Sequence, residues 1–426
     1  MFYGRMMRCS LLLAAVATAL LAPAAEAADY VPGEVIVRSG PAADPVARVV
    51  KIKDGSTVPE AIARLRRRPG VLSATPNYIA RASWIPNDPG RSGRPAGWTE
   101  VQWNFAGPFG INVPGAWDNL ERAGRRGGSG VVVAVLDTGV AYSDRGRFLR
   151  SPDLRGNRFA RGWDFVDDDP HPNDENGHGT HVASTIAESI DNGVGVTGIA
   201  FGAKIMPLRV LDNRGWGDSA EIARAIRFAV RKRAHIINLS FEFGRRVVAR
   251  EIPDILDALR FARRKGVLVV GASGNAEYGA VAYPARADHV LSVGATTERG
   301  CLAKYSNYGP TLDLVAPGGG KDAVLAGDPN CQPQAPRGGD ILQMTMTSNV
   351  RTFGLPGGYR GTSMAAPHVS GVAALVIASG VLGRRPSPDA IEERLKATAR
   401  DLGVPGPDDS YGAGLADATA ATTPAA

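Results

Sequence analysis

The stretch Arg360–Gly371 reads RGTSMAAPHVSG, and the 426-residue chain is best read outward from it. Gly361 and Thr362 bring the backbone tightly up to Ser363, and Met364–Ala378 is a small, apolar run that predicts a buried helix. A serine at the start of such a helix has its hydroxyl beside unpaired backbone N–H groups, where the helix dipole favours developing negative charge. That position suits a nucleophile, although an ordinary Ser N-cap looks the same. The deciding question is whether a base and an orienting carboxylate stand elsewhere in the chain.

Val131–Thr138 reads VVVAVLDT, an apolar strand with Asp137 at its end and Gly139 turning the chain. Asn176–Ala183 reads NGHGTHVA, with His178 framed by two glycines at the start of a second small-residue helix. Each residue has a plain alternative. Asp137 could be a strand-end turn carboxylate. His178 could pair with His181 on a metal, although their i,i+3 spacing lacks the Glu and the i,i+4 spacing of a zinc-protease helix. Asn275, in Gly271-Ala272-Ser273-Gly274-Asn275, could be a turn residue. Taken together, Asp137-Thr138-Gly139, His178-Gly179-Thr180-His181, Gly361–Pro367 and the Asn275 segment resemble, in order and rough spacing, the signature blocks of subtilisin-family (subtilase) serine proteases. The likeness runs from about Gln102 to Ala418.

The resemblance implies roles. Ser363 Oγ would attack the scissile carbonyl, His178 would shuttle the proton, and Asp137 would orient the imidazole. Asn275 would donate to the oxyanion together with the Ser363 backbone N–H. The substrate groove would be framed by Ser240-Phe241-Glu242-Phe243, where the family usually has Ser-Leu-Gly-Gly, and by Trp216-Gly217 facing it, with peptides added as a strand. Ala272, Ser273 and Gly274 would form one wall of the primary pocket, and Ala282 would lie at its floor. Glu242 departs from the family pattern. Its carboxylate would either narrow the pocket rim or favour a basic side chain there, or it would point to solvent.

Structural calcium is the implied cofactor. Asp164, Asp167 and Asp169 put hard oxygen ligands within six residues, as in the DFVxxD metal loop of thermostable subtilases. Ile190–Val196 (IDNGVGV) resembles the family's tight calcium loop, with Asn192 using its side chain, Ile190, Val194 and Val196 their carbonyls, and Asp153 adding a carboxylate. Solvated acidic loops are the alternative in both places.

Arg5 and Arg8 precede an apolar run, Leu11–Ala25, and Ala25-Glu26-Ala27 fits a signal-peptidase site. The run is short for a membrane span, so residues 1–27 are expected to be a cleaved secretion signal, without stable membrane insertion. Once it is removed, Cys301 and Cys331 are the remaining cysteines. Outside the cell they are expected to pair, the alternative being two free thiols. Residues 28–95 divide into a strand at Gly33–Val37, a basic helix at Val58–Arg68, a strand at Val71–Ile79 and a Pro/Gly-rich linker at Ile85–Gly97. They resemble an inhibitory subtilase propeptide, with maturation expected between Ile79 and Gln102. Residues 96–426 would be the catalytic domain. In them, continuous apolar strands at Val131–Leu136, Lys204–Val210, Ile236–Ser240, Val267–Val270 and Val290–Val293 alternate with amphipathic helices at Ala220–Arg233 and Ile252–Lys265. The expected architecture is therefore α/β and subtilisin-like, a mostly parallel twisted sheet with helices on both faces, preceded by a small α+β propeptide. Gly319–Gly339 reads as an insertion before Ser363.

The formal charge is +7, and most of the short basic runs lie at or near predicted helix ends. They read as solvated faces, and no nucleic-acid motif accompanies them. The chain is expected to be a secreted, extracellular monomer that acts on protein and peptide substrates and is held in check by its own propeptide.

Overall fold

A computed structural model describes residues 30–41, 45–78, 84–325, 328, 331 and 339–424. The candidate secretion signal and its Ala25-Glu26-Ala27 site lie outside them, as does much of the 319–339 insertion. The chain forms two compact units, one up to Ser83 and the other from Trp84 to Thr423.

The first unit is a three-stranded antiparallel sheet and one helix. Strand β1 (Tyr30–Ser39) lies between β2 (Val46–Lys51) and β3 (Val71–Tyr78). Helix α1 (Val58–Arg66) packs on β1 and β3 through Val58, Ala61 and Leu65, around a small core with Val35, Val37 and Ala74. Its start is fixed locally by a reciprocal cap: Glu60 N–H donates to Thr57 Oγ1, and Thr57 N–H donates to the Glu60 carboxylate. Val46, Val49, Leu72 and Tyr78 are exposed.

The second unit is built on seven parallel strands: β4 (Val132–Asp137), β5 (Trp163–Asp164), β6 (Lys204–Arg209), β7 (Ile236–Leu239), β8 (Leu268–Ala272), β9 (Val290–Thr296) and β10 (Leu314–Pro317). Their order across the sheet is β10-β9-β8-β7-β4-β6-β5. Strands following β4 are first laid to one side of it and then, from β7, to the other. That reversal opens a crevice at the carboxyl ends of β4 and β7, the place where open α/β sheets hold their sites. Asp137 is the last residue of β4, with Arg209 opposite it on β6, and Ser240 follows β7 directly. The strands are buried on both faces, which explains why they read as unbroken apolar runs. A short antiparallel pair, β11 (Thr345–Met346) and β12 (Phe353–Gly354), precedes the nucleophile segment.

Helices α2 (Trp103–Ala106) and α3 (Val113–Arg122) lead into the sheet, followed by α4 (His178–Ala187), α5 (Ser219–Arg231), α6 (Pro253–Arg264), α7 (Thr362–Ser379), α8 (Pro388–Ala397) and α9 (Ala418–Thr422). Helices α4 and α7 pack on each other and on the sheet, and α5 and α6 form a second pair. Helix α7 is long and apolar enough to pass for a membrane span, yet 83% of that stretch is buried inside the fold. It is a core helix that is apolar all round. The Pro/Gly-rich stretch 85–97, whose composition suggests a linker, is built into this unit. Trp84 meets Trp117 and Phe201 edge-on, Trp98 is fully buried, and Gly90 N–H donates to Gly195 O. Cys301 and Cys331 form a disulfide that ties the insertion to the segment after β9.

Candidate active site

Asp137 is fully buried, whereas the His178 side chain is 26% exposed, so one edge of the imidazole remains reachable. His178 Nδ1 and Asp137 Oδ1 are 2.7 Å apart, and the same oxygen accepts the Thr138 N–H at 2.8 Å. A carboxylate at Nδ1 fixes the tautomer with the proton on that nitrogen and leaves Nε2 as the base. Burial opposes the charged imidazolium. The charge of Asp137, the hydrogen bond to it and the charge of Asp174 outweigh burial, and the His178 pKa lies above its ordinary value of 6.5.

Asp174 was not singled out from the sequence, and it organises this corner. Its buried carboxylate accepts from the N–H groups of Asn176, Gly177 and Thr180, the Thr180 hydroxyl and the Thr138 hydroxyl. Thr138 Oγ1 in turn accepts the Gly179 N–H. The start of α4 is thus stitched to the end of β4, as suits a carboxylate beside a helix N-terminus. Gly179 is required by contact: a Cβ there would stand 2.1 Å from the Gly139 carbonyl oxygen. His181 turns away from His178 into the core. Its Nε2 donates to Ile341 O at 3.0 Å, its ring stacks on Tyr359, and burial pushes its pKa down to about 3.

Ser363 is half-buried in the first turn of α7. Pro367, four residues on, has no N–H to give the Ser363 carbonyl. The Ser240 hydroxyl takes that place, donating at 2.8 Å while accepting from Asn238 Nδ2 at 2.8 Å. The end of β7 therefore anchors the backbone of the serine itself. Asn275 is exposed, and its Oδ1 accepts from the Thr362 N–H at 2.8 Å and the Thr362 hydroxyl at 3.1 Å. This fixes the amide with Nδ2 as the outward donor. Gly274 N–H donates to Thr362 Oγ1, closing the link between β8 and α7.

The expected primary pocket is assembled around Gly274, which has φ +109°. A Cβ there would meet Asn307 Nδ2 at 2.3 Å, Glu242 Oε2 at 2.4 Å and Ala282 Cβ at 3.1 Å, so only glycine fits. Ser273 O accepts the Ala282 N–H, which joins wall to floor. Glu242 does not simply point to solvent, since both its carboxylate oxygens accept the Asn275 N–H, at 3.0 and 3.2 Å. Ser240–Phe243 and Trp216-Gly217 belong to no sheet, and Trp216 is 74% exposed in a turn held by Asp212.

The two acidic loops part company. In the one carrying Asp164, Asp167 and Asp169, the first two carboxylates close on Arg209. The Arg209 side chain, 5% exposed, pairs with Asp164 at 2.8 Å and Asp167 at 2.5 Å and approaches Glu175. A guanidinium already supplies the charge that calcium would bring, and Asp169 turns its carboxylate to the His171 N–H. Among the described residues no cluster of three or more His, Cys, Asp and Glu side chains is poised for a metal. The second loop differs because a site there would draw mainly on carbonyls and an amide. Asp153 is buried and accepts from Asn192 Nδ2 at 2.7 Å and Val196 N–H at 3.0 Å. Burial pushes its pKa up to about 8, and burial together with the Asp153 charge raises Glu188, whose Oε2 has no partner. Asp88, absent from the sequence expectations, is buried beside them and accepts the Asp191 and Asn192 N–H groups. Among the described residues no Lys, Arg or His pairs with Asp153, Glu188 or Asp88, so a cation held mainly by the carbonyls of this loop would relieve their burial.

The fold and the site define a serine protease with a subtilisin-like α/β architecture. Residues 128–414 match the model of the subtilase family (Peptidase_S8). The chain is 34% identical over 375 residues to a thermophilic serine proteinase of Bacillus sp. strain AK1, covering 83% of this chain and 80% of that one. It is 37% identical over 297 residues to subtilisin Savinase of Lederbergia lenta, covering 69% and 91%. Among solved structures, a protease of Pseudoalteromonas arctica superposes with a TM-score of 0.62 at 31% identity, covering 80% of this chain and 99% of that one. The chain belongs to the subtilase family, and it is a serine endopeptidase.

Proposed function

We propose that the protein is a secreted endopeptidase using Asp137, His178 and Ser363 as its triad, made as a zymogen that processes itself. The observation carrying this reading is the 2.7 Å Asp137–His178 bond on the sheet crevice, with α4 packed against the helix that starts at Ser363. Ser363 Oγ attacks the substrate carbonyl as His178 Nε2 takes its proton. Asn275 Nδ2 and the Ser363 N–H hold the oxyanion, and the charged imidazole is stabilised by Asp137. His178 then protonates the leaving amine, and water, activated by the same base, releases the acyl group from Ser363. Ser240–Phe243 and Trp216-Gly217, outside any sheet as they stand, receive the peptide between them as an added strand.

The first unit acts as the inhibitory propeptide. Its small α+β build and its exposed Val46, Val49, Leu72 and Tyr78 support this reading. Calcium would be structural, and Asp153, Asp88, Asn192 and the carbonyls of Ile190, Val194 and Val196 would hold it. Bound there, it would supply positive charge to buried acids and tie residues 190–196 to the start of the unit. The mature enzyme works as an extracellular monomer.

The test is expression of the full chain with and without Ser363→Ala, followed by mass and N-terminal analysis of the product. The wild type should be shortened between Ile79 and Gln102 and should react with a serine-directed fluorophosphonate, and the variant should do neither. Equal cleavage of both proteins would refute self-processing. A wild type that resists the reagent after removal of the first unit would refute the triad.

A further inference from the structure

The primary pocket contains a carboxylate that the mechanism above does not use. Glu242 is exposed as a residue, but its carboxylate reaches across the pocket to the opposite wall. There it takes the Asn275 N–H and crowds Gly274 beside Asn307 and Ala282. The groups that meet it around Gly274, Ala282 and the Asn307 amide, are neutral, as are Ala272 and Ser273, the wall implied by the resemblance. Asn307 is committed to holding the wall, since its Oδ1 accepts from the Ala276 and Tyr278 N–H groups. No Lys, Arg or His pairs with Glu242 among the described residues.

An ionised carboxylate offers about four acceptor positions. Here the donors come from Asn275 alone, its backbone N–H shared by both oxygens together with its side chain, and burial still raises the pKa of the group. A carboxylate held by one neutral residue has acceptor positions left, and the partner that fits them is a cation arriving from the mouth of the pocket. A neutral side chain could block the pocket without the desolvation cost of a charge.

We propose that Glu242 is a specificity-determining residue that selects substrates with Lys or Arg immediately before the scissile bond. The inference rests on the triad reading above. The cation enters between the two pocket walls, its ammonium or guanidinium meets Glu242, and the Asn275 side chain that also bonds this carboxylate is released to the oxyanion. Aliphatic and aromatic side chains find the same space narrowed and charged.

The test uses mature enzyme and a matched series of acyl-tripeptide p-nitroanilides that differ only in the last residue: Arg, Lys, Leu, Phe or Ala. The kcat/KM for Arg and Lys should exceed that for Leu by about tenfold or more, the range of a charge-assisted hydrogen bond. Glu242→Gln keeps an acceptor for the Asn275 N–H and should lower the Arg:Leu ratio about 10–100-fold. Glu242→Gly should lower it similarly and raise the Phe:Ala ratio by opening the pocket. A wild type that prefers Leu, Phe or Ala, or a Gln variant with an unchanged Arg:Leu ratio, would overturn the proposal. Fluorophosphonate labelling separates the two failures. Enzyme that labels at Ser363 but shows no basic preference refutes the role of Glu242 alone, whereas enzyme that neither labels nor turns over any substrate refutes the triad and this inference with it.

Discussion

Ser240→Ala tests how the nucleophile's backbone is held. The Ser363 carbonyl cannot pair within α7 because Pro367 has no N–H, and the Ser240 hydroxyl is its donor. Removing that hydroxyl strands the carbonyl and also the Asn238 Nδ2 that donates to Ser240. Asn238 is buried, with its Oδ1 already taken by the Ser370 hydroxyl. Each stranded group costs about 1–3 kcal/mol, so the pair should cost roughly 2–6 kcal/mol. At about 2 °C per kcal/mol for a unit of this size, Tm should fall by roughly 4–12 °C. The assay is thermal unfolding of mature enzyme inactivated with a fluorophosphonate, which stops self-digestion. A double-mutant cycle sharpens it. Pro367→Ala restores an N–H four residues beyond Ser363, so it should rescue Ser240→Ala with a coupling of about 1 kcal/mol. A Tm within 1 °C of wild type for Ser240→Ala, or strict additivity in the cycle, would refute the reasoning.

Three further outcomes are expected. Because His178 must be neutral to accept a proton, and its pKa is raised, kcat/KM should fall on the acid side with an apparent pKa above 6.5. Asp137→Asn should move that limb to lower pH and cut kcat by about 10⁴, and a wild-type limb at or below 6.5 would contradict the geometry. Calcium at a hundred times its Kd should add about 2.7 kcal/mol of stability, read as a Tm rise against EDTA. Asp153→Asn and Asp88→Asn should abolish that response while Asp169→Asn keeps it, and the reverse pattern would return the ion to the Arg209 loop. Arg209→Met should cost about 3–5 kcal/mol by leaving buried Asp164 without its cation, whereas Asp164→Asn in the same background should recover part of it in denaturant unfolding.

The longer strands β4, β6, β7, β8 and β9 were legible because burial on both faces makes them nearly continuous apolar runs, and the amphipathic α5 and α6 because one face is wet, whereas β5 is two residues inside a stretch that reads as an acidic loop. Helix α7 was legible by its smallness and apolarity. Strand β10 was missed: Leu314–Pro317 is four residues long and ends in proline, too short for any period to appear. The triad candidates stood out because glycines and small residues frame them. Asp174 and Asp88 did not, because an acid in a loop looks solvated until the fold closes over it. The pairing of Asp164 and Asp167 with Arg209 was hidden as well, since Arg209 lies on a different strand, some forty residues away in sequence. Glu242 was visible as a departure from the family pattern, but the direction of its carboxylate depends on a wall supplied by β8 and the loop after it.

The burial of α7 also bears on how the molecule ages. Elements packed on every side open only with the whole domain, whereas surface turns such as the one around Trp216 open at little cost. A protease attacking its own kind therefore finds turns to cut long before it can disturb the backbone that carries Ser363. Molecules already nicked at the surface should still bear an intact nucleophile, so that a stored preparation loses chain integrity on gels well ahead of its titratable active sites.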